Sequence, residues 1–211
     1  MGAVTDNTHL RYYLCYAIVS NGGRVMPNEY AEVWVDVLDS DRLWLNEEVV
    51  QLKLNARMNP WTAGKGTVPA GVASRAIEPI GIINAGNPRQ AYQDGFNIAF
   101  VNQDGPNRDG AVALAGGIAE ALRPEATTDS VIETVREYSV GSHHTGTFGR
   151  SLDLTLRLGD DCTDAHEFVE RFYEERLDYT WPAVPWDADK YEPGELFSGI
   201  PTNLYRRRLR C

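Results

Sequence analysis

The chain has 211 residues, 43% hydrophobic and 24% charged, which suits a globular domain with a single core and excludes low-complexity disorder and collagen-like repeats. Its 20 lysines and arginines against 30 aspartates and glutamates leave a net charge of −10, which argues against nucleic acid as a partner, because affinity there comes from neutralising phosphates with basic side chains. Cys15, Cys162 and Cys211 are odd in number, widely spaced and fit no zinc pattern, so they point to a reducing, cytoplasmic compartment, while the longest apolar run, 12–19, is too short to cross a bilayer.

Leu10, Tyr13, Leu14, Ala17 and Ile18 recur at helical spacing and predict a helix over 8–20, closed by Gly22-Gly23. After Pro27, a residue suited to a helix start, a second helix is expected over 28–38 with Tyr30, Val33, Trp34 and Val37 on its inner stripe. A third is expected over 43–56, with Leu45, Val49, Leu52 and Ala56 inward. Periodicity then stops in the Pro/Gly/Thr-rich stretch 59–71, a loop long enough to carry function.

A further helical block is expected from Val72, interrupted by Pro79. Asn87-Pro88-Arg89-Gln90 supplies a cap, a first-turn proline and a glutamine three residues after the cap, so a helix should run over 88–101. Asn107 or Asp109 would cap a small-residue helix over 110–122 that permits close packing. Thr127 or Thr128 begins another that ends near Tyr138, with Val131, Ile132 and Val135 inward. Thr163 would cap a last one over 163–177, preceded by a solvated turn at Asp160-Asp161. The proline- and tryptophan-rich stretch 178–201 reads as an extended strap, with Trp181, Trp186, Tyr179 and Tyr191 anchoring it or stacking on a base or sugar. With strand-like alternation nearly absent, the fold class is all-α. One helical domain spans 1–201, and a basic tail, 202–211, carries Arg206, Arg207, Arg208 and Arg210.

Chemistry-bearing residues are few. Thr5, Asp6 and Asn7 place three oxygen-bearing side chains at a helix mouth, where they read either as an N-cap or as hard-oxygen ligands of the kind magnesium prefers. The loop 62–67 lacks the nucleotide P-loop spacing, with Gly66 where Ser or Thr is required. Gly64, Gly66 and Gly71 read either as plain turns or as points where backbone amides approach a diphosphate at the start of the following helix. His143-His144 are adjacent, point apart on any regular element, and read as surface or core-edge residues.

The order Gly-Ala-Val-Thr-Asp-Asn-Thr, then Trp34, Gly71 to Gly81 with Pro79-Ile80-Gly81, Ala85-Gly86-Asn87-Pro88, Ala91-Tyr92 and Asp109-Gly110 resembles the ADP-ribosylglycohydrolase family. The resemblance covers most of the chain from Gly2 to Ile200. It implies an all-α bundle, a cleft with two magnesium ions, an ADP-ribosylated or ribosylated substrate, and hydrolysis of an N- or O-glycosidic bond. Carried over, it makes Thr5, Asp6 and Asn7 the first metal shell, with Asp6 catalytic. Gly71, Ser74 and Arg75 would lie near the diphosphate, and Asp104 and Asp109 would either face the ribose or cap the turn.

The sequence departs from the family pattern at several places. Asn7 stands where the family has a second aspartate, so the cluster loses one charge and one base. Ser74-Arg75 takes the place of a Met-Arg pair, one step out of register. The usual helix-end histidine motif reads Asn102-Gln103-Asp104, and no Asp-x-Asp-Thr cluster follows Ile200. On this resemblance the chain is expected to be shortened at both ends and to offer magnesium at most a partial site. A non-catalytic nucleotide-binding or structural member, or a fragment completed by another chain, is the alternative.

Overall fold

The computed structural model describes residues 5–39, 43, 45–67, 71–139 and 147–176. Among them are nine α-helices and no strand: α1 (Asp6–Ser20), α2 (Pro27–Asp36), α3 (Leu45–Asn55), α4 (Glu78–Ile83), α5 (Pro88–Asn102), α6 (Pro106–Ala121), α7 (Thr128–Ser139), α8 (Thr147–Asp161) and α9 (Ala165–Arg176). The all-α expectation holds. The chain divides into two compact units, the first ending at Phe148 and the second beginning at Gly149. His143-His144, the strap 178–201 with its aromatic residues, and the tail 202–211 lie outside the described residues.

In the first unit, α1 buries the five residues its period picks out, Leu10, Tyr13, Leu14, Ala17 and Ile18. It closes where Gly23 N–H donates to the Ile18 carbonyl. Pro27 sits in the first turn of α2, and Tyr30 and Trp34 are fully buried, their rings meeting edge-on at 6.0 Å. Val37 falls past the helix end and is 38% exposed; Leu38, whose N–H turns back to the Val33 carbonyl, is buried instead.

α3 departs further from expectation. Leu52 and Ala56 are exposed, and the buried face is Asn46, Glu47, Val50, Gln51 and Leu54. Gln51 is accommodated because its amide donates to the Trp34 carbonyl in the last turn of α2 and to the Leu38 carbonyl just beyond it.

Pro79 does not interrupt a helix. Residues 72–76 form turns, and Pro79 lies in the first turn of the short α4, where its missing N–H costs nothing. Asn87 caps α5 as its sequence indicates, accepting from Gln90 N–H at 3.2 Å. α6 starts earlier than expected, with Gly105 at its N-cap, so Asn107 and Asp109 lie inside its first turns. Thr127 caps α7 through reciprocal bonds with Ser130.

α6 is the hub of this unit, packed on α4, α5 and α7 through its small residues. A Cβ on Gly81 would meet Ile118 Cβ at 2.6 Å and the Ala115 carbonyl oxygen at 2.9 Å. Overpacking of this kind costs about 1–3 kcal/mol, more than the roughly 1 kcal/mol alanine gains over glycine in a helix. Gly81→Ala is therefore expected to lower the urea midpoint.

In the second unit, α8 was not indicated by the sequence reading, and Asp160-Asp161 form its last turn rather than a separate solvated turn. α9 is capped by Asp164 rather than Thr163: the Asp164 carboxylate accepts from the His166 and Glu167 N–H groups, which holds it below its ordinary value. Arg157 of α8 pairs with Glu175 of α9, and Arg171 reaches both Asp161 and Glu175.

Candidate functional site

Thr5 occupies the N-cap position of α1 with extended backbone, yet its side chain makes no capping bond and is exposed. Asp6 and Asn7 follow in the first turn, and their oxygens are held by a group far away in sequence. Arg75 Nη1 donates to Asp6 Oδ2 at 2.7 Å and to Asn7 Oδ1 at 3.1 Å. The N-cap reading therefore gives the backbone position of Thr5 but not the use of its neighbours' side chains.

Arg75 is brought there by the turns after Gly71. Gly71 has φ +69°, a conformation other residues rarely adopt, and its carbonyl accepts from the Arg75 N–H at 3.2 Å and from Ser74 Oγ at 2.8 Å. Gly71, Ser74 and Arg75 thus form one closed turn whose outlet is the guanidinium. No helix begins directly after Gly71, so the helix N-terminus expected to face a diphosphate is absent there. Gly64 has a different reason: its N–H donates to the Phe100 carbonyl, and a Cβ would come within 2.7 Å of that same oxygen. It seats the 59–67 loop on α5.

Asp104 and Asp109 make their bonds to Arg108. Nη1 donates to Asp104 Oδ1 at 2.8 Å and Nη2 to Asp109 Oδ1 at 3.0 Å, while the guanidinium lies over the Phe96 and Phe100 rings at 4.9 and 4.8 Å. Asp104 also accepts from Gly105 N–H, so the pair orders the α5–α6 turn. The next residue toward α5, Gln103, is buried and its Oε1 accepts from Ala73 N–H at 3.4 Å, linking this turn to the Gly71–Arg75 turn.

One residue of the site was missed by the sequence reading. Glu47, in the first turn of α3, is 0% exposed, and its Oε1 lies 4.0 Å from Arg75 Nη2. Burial pushes its carboxyl above the ordinary value, partly opposed by Arg75. An acid whose pKa is raised by folding destabilises the fold as pH rises through that window, and costs nothing below its unfolded value, where both states are protonated. Glu47→Gln is therefore expected to raise Tm at neutral pH, with the gain disappearing in acid.

The oxygens of Thr5, Asp6 and Asn7 suit one magnesium ion that keeps several waters, since this ion is commonly held by one or two carboxylates. Among the described residues no group of three or more His, Cys, Asp or Glu gathers to hold a metal. Of these three oxygen-bearing side chains, Arg75 engages two, those of Asp6 and Asn7. Among the described residues no helix is long and apolar enough to cross a membrane.

A family model described as ADP-ribosylglycohydrolase matches residues 1–189 of the chain. No curated protein and no solved structure matches it.

Proposed function

The chain belongs to the ADP-ribosylglycohydrolase family, and from that premise we propose that it acts on the ADP-ribosyl group of a ribosylated protein or small molecule, cleaving its N- or O-glycosidic bond slowly with magnesium. The observation that supports this reading is the meeting of Asp6 and Asn7 with Arg75, about seventy residues on in sequence, at one turn built by Gly71 and Ser74. Thr5, Asp6 and Asn7 would hold the ion. Magnesium would supply polarisation of the ribosyl group and a fixed place for water at the anomeric carbon.

The chain's own residues divide the remaining work. The Asp6 carboxylate brings the cluster's formal negative charge and can take a proton from attacking water; Asn7 offers an oxygen but cannot act as a base. The Arg75 guanidinium, 23% exposed, suits a diphosphate, for which its planar fork is well shaped. Asp104 is the more open of the two carboxylates on Arg108 and is the one available to a ribose hydroxyl. The free thiols of Cys15 and Cys162 support a cytoplasmic setting.

Asn7 in place of a carboxylate favours a second reading, a member that binds ADP-ribose without turning it over. Titration calorimetry with ADP-ribose in magnesium tests what the two readings share. Binding is expected, weakened about tenfold in Arg75→Ala through loss of a charge-assisted contact. Absence of binding to the wild-type chain would remove both.

A further inference from the structure

A surface helix is apolar on the stripe that faces the core and polar elsewhere, and one that is apolar on further sides is covered there too. α1 breaks that rule. Besides the five residues it gives to the core, it carries Tyr12, Tyr16 and Val19 at i, i+4 and i+7, and these are 59%, 41% and 78% exposed. The Tyr12 and Tyr16 rings lie 6.5 Å apart, so the two form one aromatic surface. Single apolar residues scattered on a surface need no explanation, whereas a contiguous stripe points to an interaction.

Beside this stripe, a groove of about 320 Å³ runs between α1 and α2, lined by the buried Ala17 and Val33 and by the partly exposed Tyr16 and Val37. Its charged residues are all acidic: Glu29, Glu32 and Asp36 of α2. Glu29 is used within its own helix, where it accepts from the Met26 N–H at 3.0 Å. Glu32 and Asp36 are exposed one turn apart on the same side of α2, and among the described residues neither carboxylate pairs with a cation. The arginines of this region are committed elsewhere, Arg11 to Glu78 and Arg24 to Asp94.

An apolar stripe bordered by unpaired carboxylates selects its partner by charge. A second copy of this groove would set carboxylate against carboxylate, and nucleic acid or an anionic membrane would be repelled. We infer that the α1–α2 groove docks an amphipathic, arginine-bearing helix of a partner protein, whose apolar side covers Tyr12, Tyr16 and Val19 and whose guanidinium groups pair with Glu32 and Asp36. Arginine suits both features, since its planar head pairs with carboxylates and stacks on a tyrosine ring. A helix laid in a groove offers contacts at i, i+4 and i+7, the same spacing the stripe presents. This interaction is separate from the glycohydrolase reading and needs neither magnesium nor ADP-ribose.

Fluorescence anisotropy of a labelled amphipathic peptide of arginine, leucine and alanine, titrated with the full chain in the absence of magnesium, tests this. Binding is expected, weakened about tenfold in Glu32→Gln/Asp36→Asn and roughly threefold or more in Tyr16→Ser. It should change less than about twofold in Glu133→Gln/Glu137→Gln, an equally charged i, i+4 pair exposed on α7. All these positions are at least partly exposed, and circular dichroism checks that each variant folds. The backbone resonances of Ala17, Val33 and Val37 should shift as the peptide is added to wild type.

Absence of binding to wild type would overturn the proposal. So would equal weakening in the α2 and α7 double variants, which would reduce the effect to attraction by net charge, or equal binding of a peptide with glutamate in place of arginine. A concentration-dependent dimer in sedimentation that Tyr16→Ser dissolves would overturn it as well, by making a second copy the occupant.

Discussion

Asn7→Asp is expected to tighten magnesium binding on the order of tenfold or more and to speed release of ADP-ribose, because magnesium affinity follows the charge of the oxygens around it. Asn7 Oδ1 and Asp6 Oδ2 already converge on one Arg75 nitrogen, at 3.1 and 2.7 Å, so a carboxylate at position 7 would face the same point in space. The added charge would also strengthen the hold on Arg75. A compact divalent ion gains more from it than a delocalised monovalent guanidinium does, so the net change favours the ion. Calorimetry on wild type and Asn7→Asp reads the difference. Equal affinities would mean that the position 7 oxygen does not reach the ion.

Asp94→Ala is expected to cost about 3 kcal/mol of stability, a substantial share of the roughly 5–15 kcal/mol that holds a domain folded. The Asp94 side chain is 5% exposed on α5 and accepts from Arg24 Nε and Asn84 Nδ2 at 3.0 Å on one oxygen. Its other oxygen accepts from Arg24 Nη2 and from Gln90 Nε2. The carboxylate thereby ties the α1–α2 connection and the end of α4 to α5. Its loss leaves the buried Asn84 amide with only its bond to the Ile80 carbonyl, whereas Arg24, 61% exposed, can return to water, which keeps the cost below that of breaking a fully buried pair. Urea unfolding measures it; a change under 1 kcal/mol would show that water replaces the carboxylate.

Much of the fold was legible because apolar residues and caps obey local rules. The stripe of α1 and the Asn87 cap of α5 needed no tertiary information. Two misreadings have different origins, one in residues whose role is set from outside their own segment and one in a misleading local period. On α3 the buried face carries Glu47 and Gln51, so hydropathy pointed to the opposite side, where Leu52 is 67% exposed. Only the open carbonyls of α2 and the guanidinium of Arg75 give those polar residues a reason to be inside. On α8, Leu152, Leu154, Leu156 and Leu158 alternate at period two, which hides a helix whose fully buried positions, Leu154 and Leu158, are four apart.

The site was legible only in part. Thr5, Asp6, Asn7, Gly71, Ser74 and Arg75 were singled out in two separate stretches, and the structure joins Asp6 and Asn7 to Arg75. What sequence order does not carry is the partner of each side chain. Asp104 and Asp109 turned out to be bridged by Arg108, and Glu47 carried no sign of its proximity to Arg75.

Release of ADP-ribose from ADP-ribosylated arginine and serine peptides in magnesium, followed for wild type, Asp6→Ala and Asn7→Asp together, is the most direct measurement of whether the Asp6 cluster is the chemical centre. Slow release is expected from wild type, faster release from Asn7→Asp and none above background from Asp6→Ala. Equal release by wild type and Asp6→Ala, or none from any of the three, would contradict it.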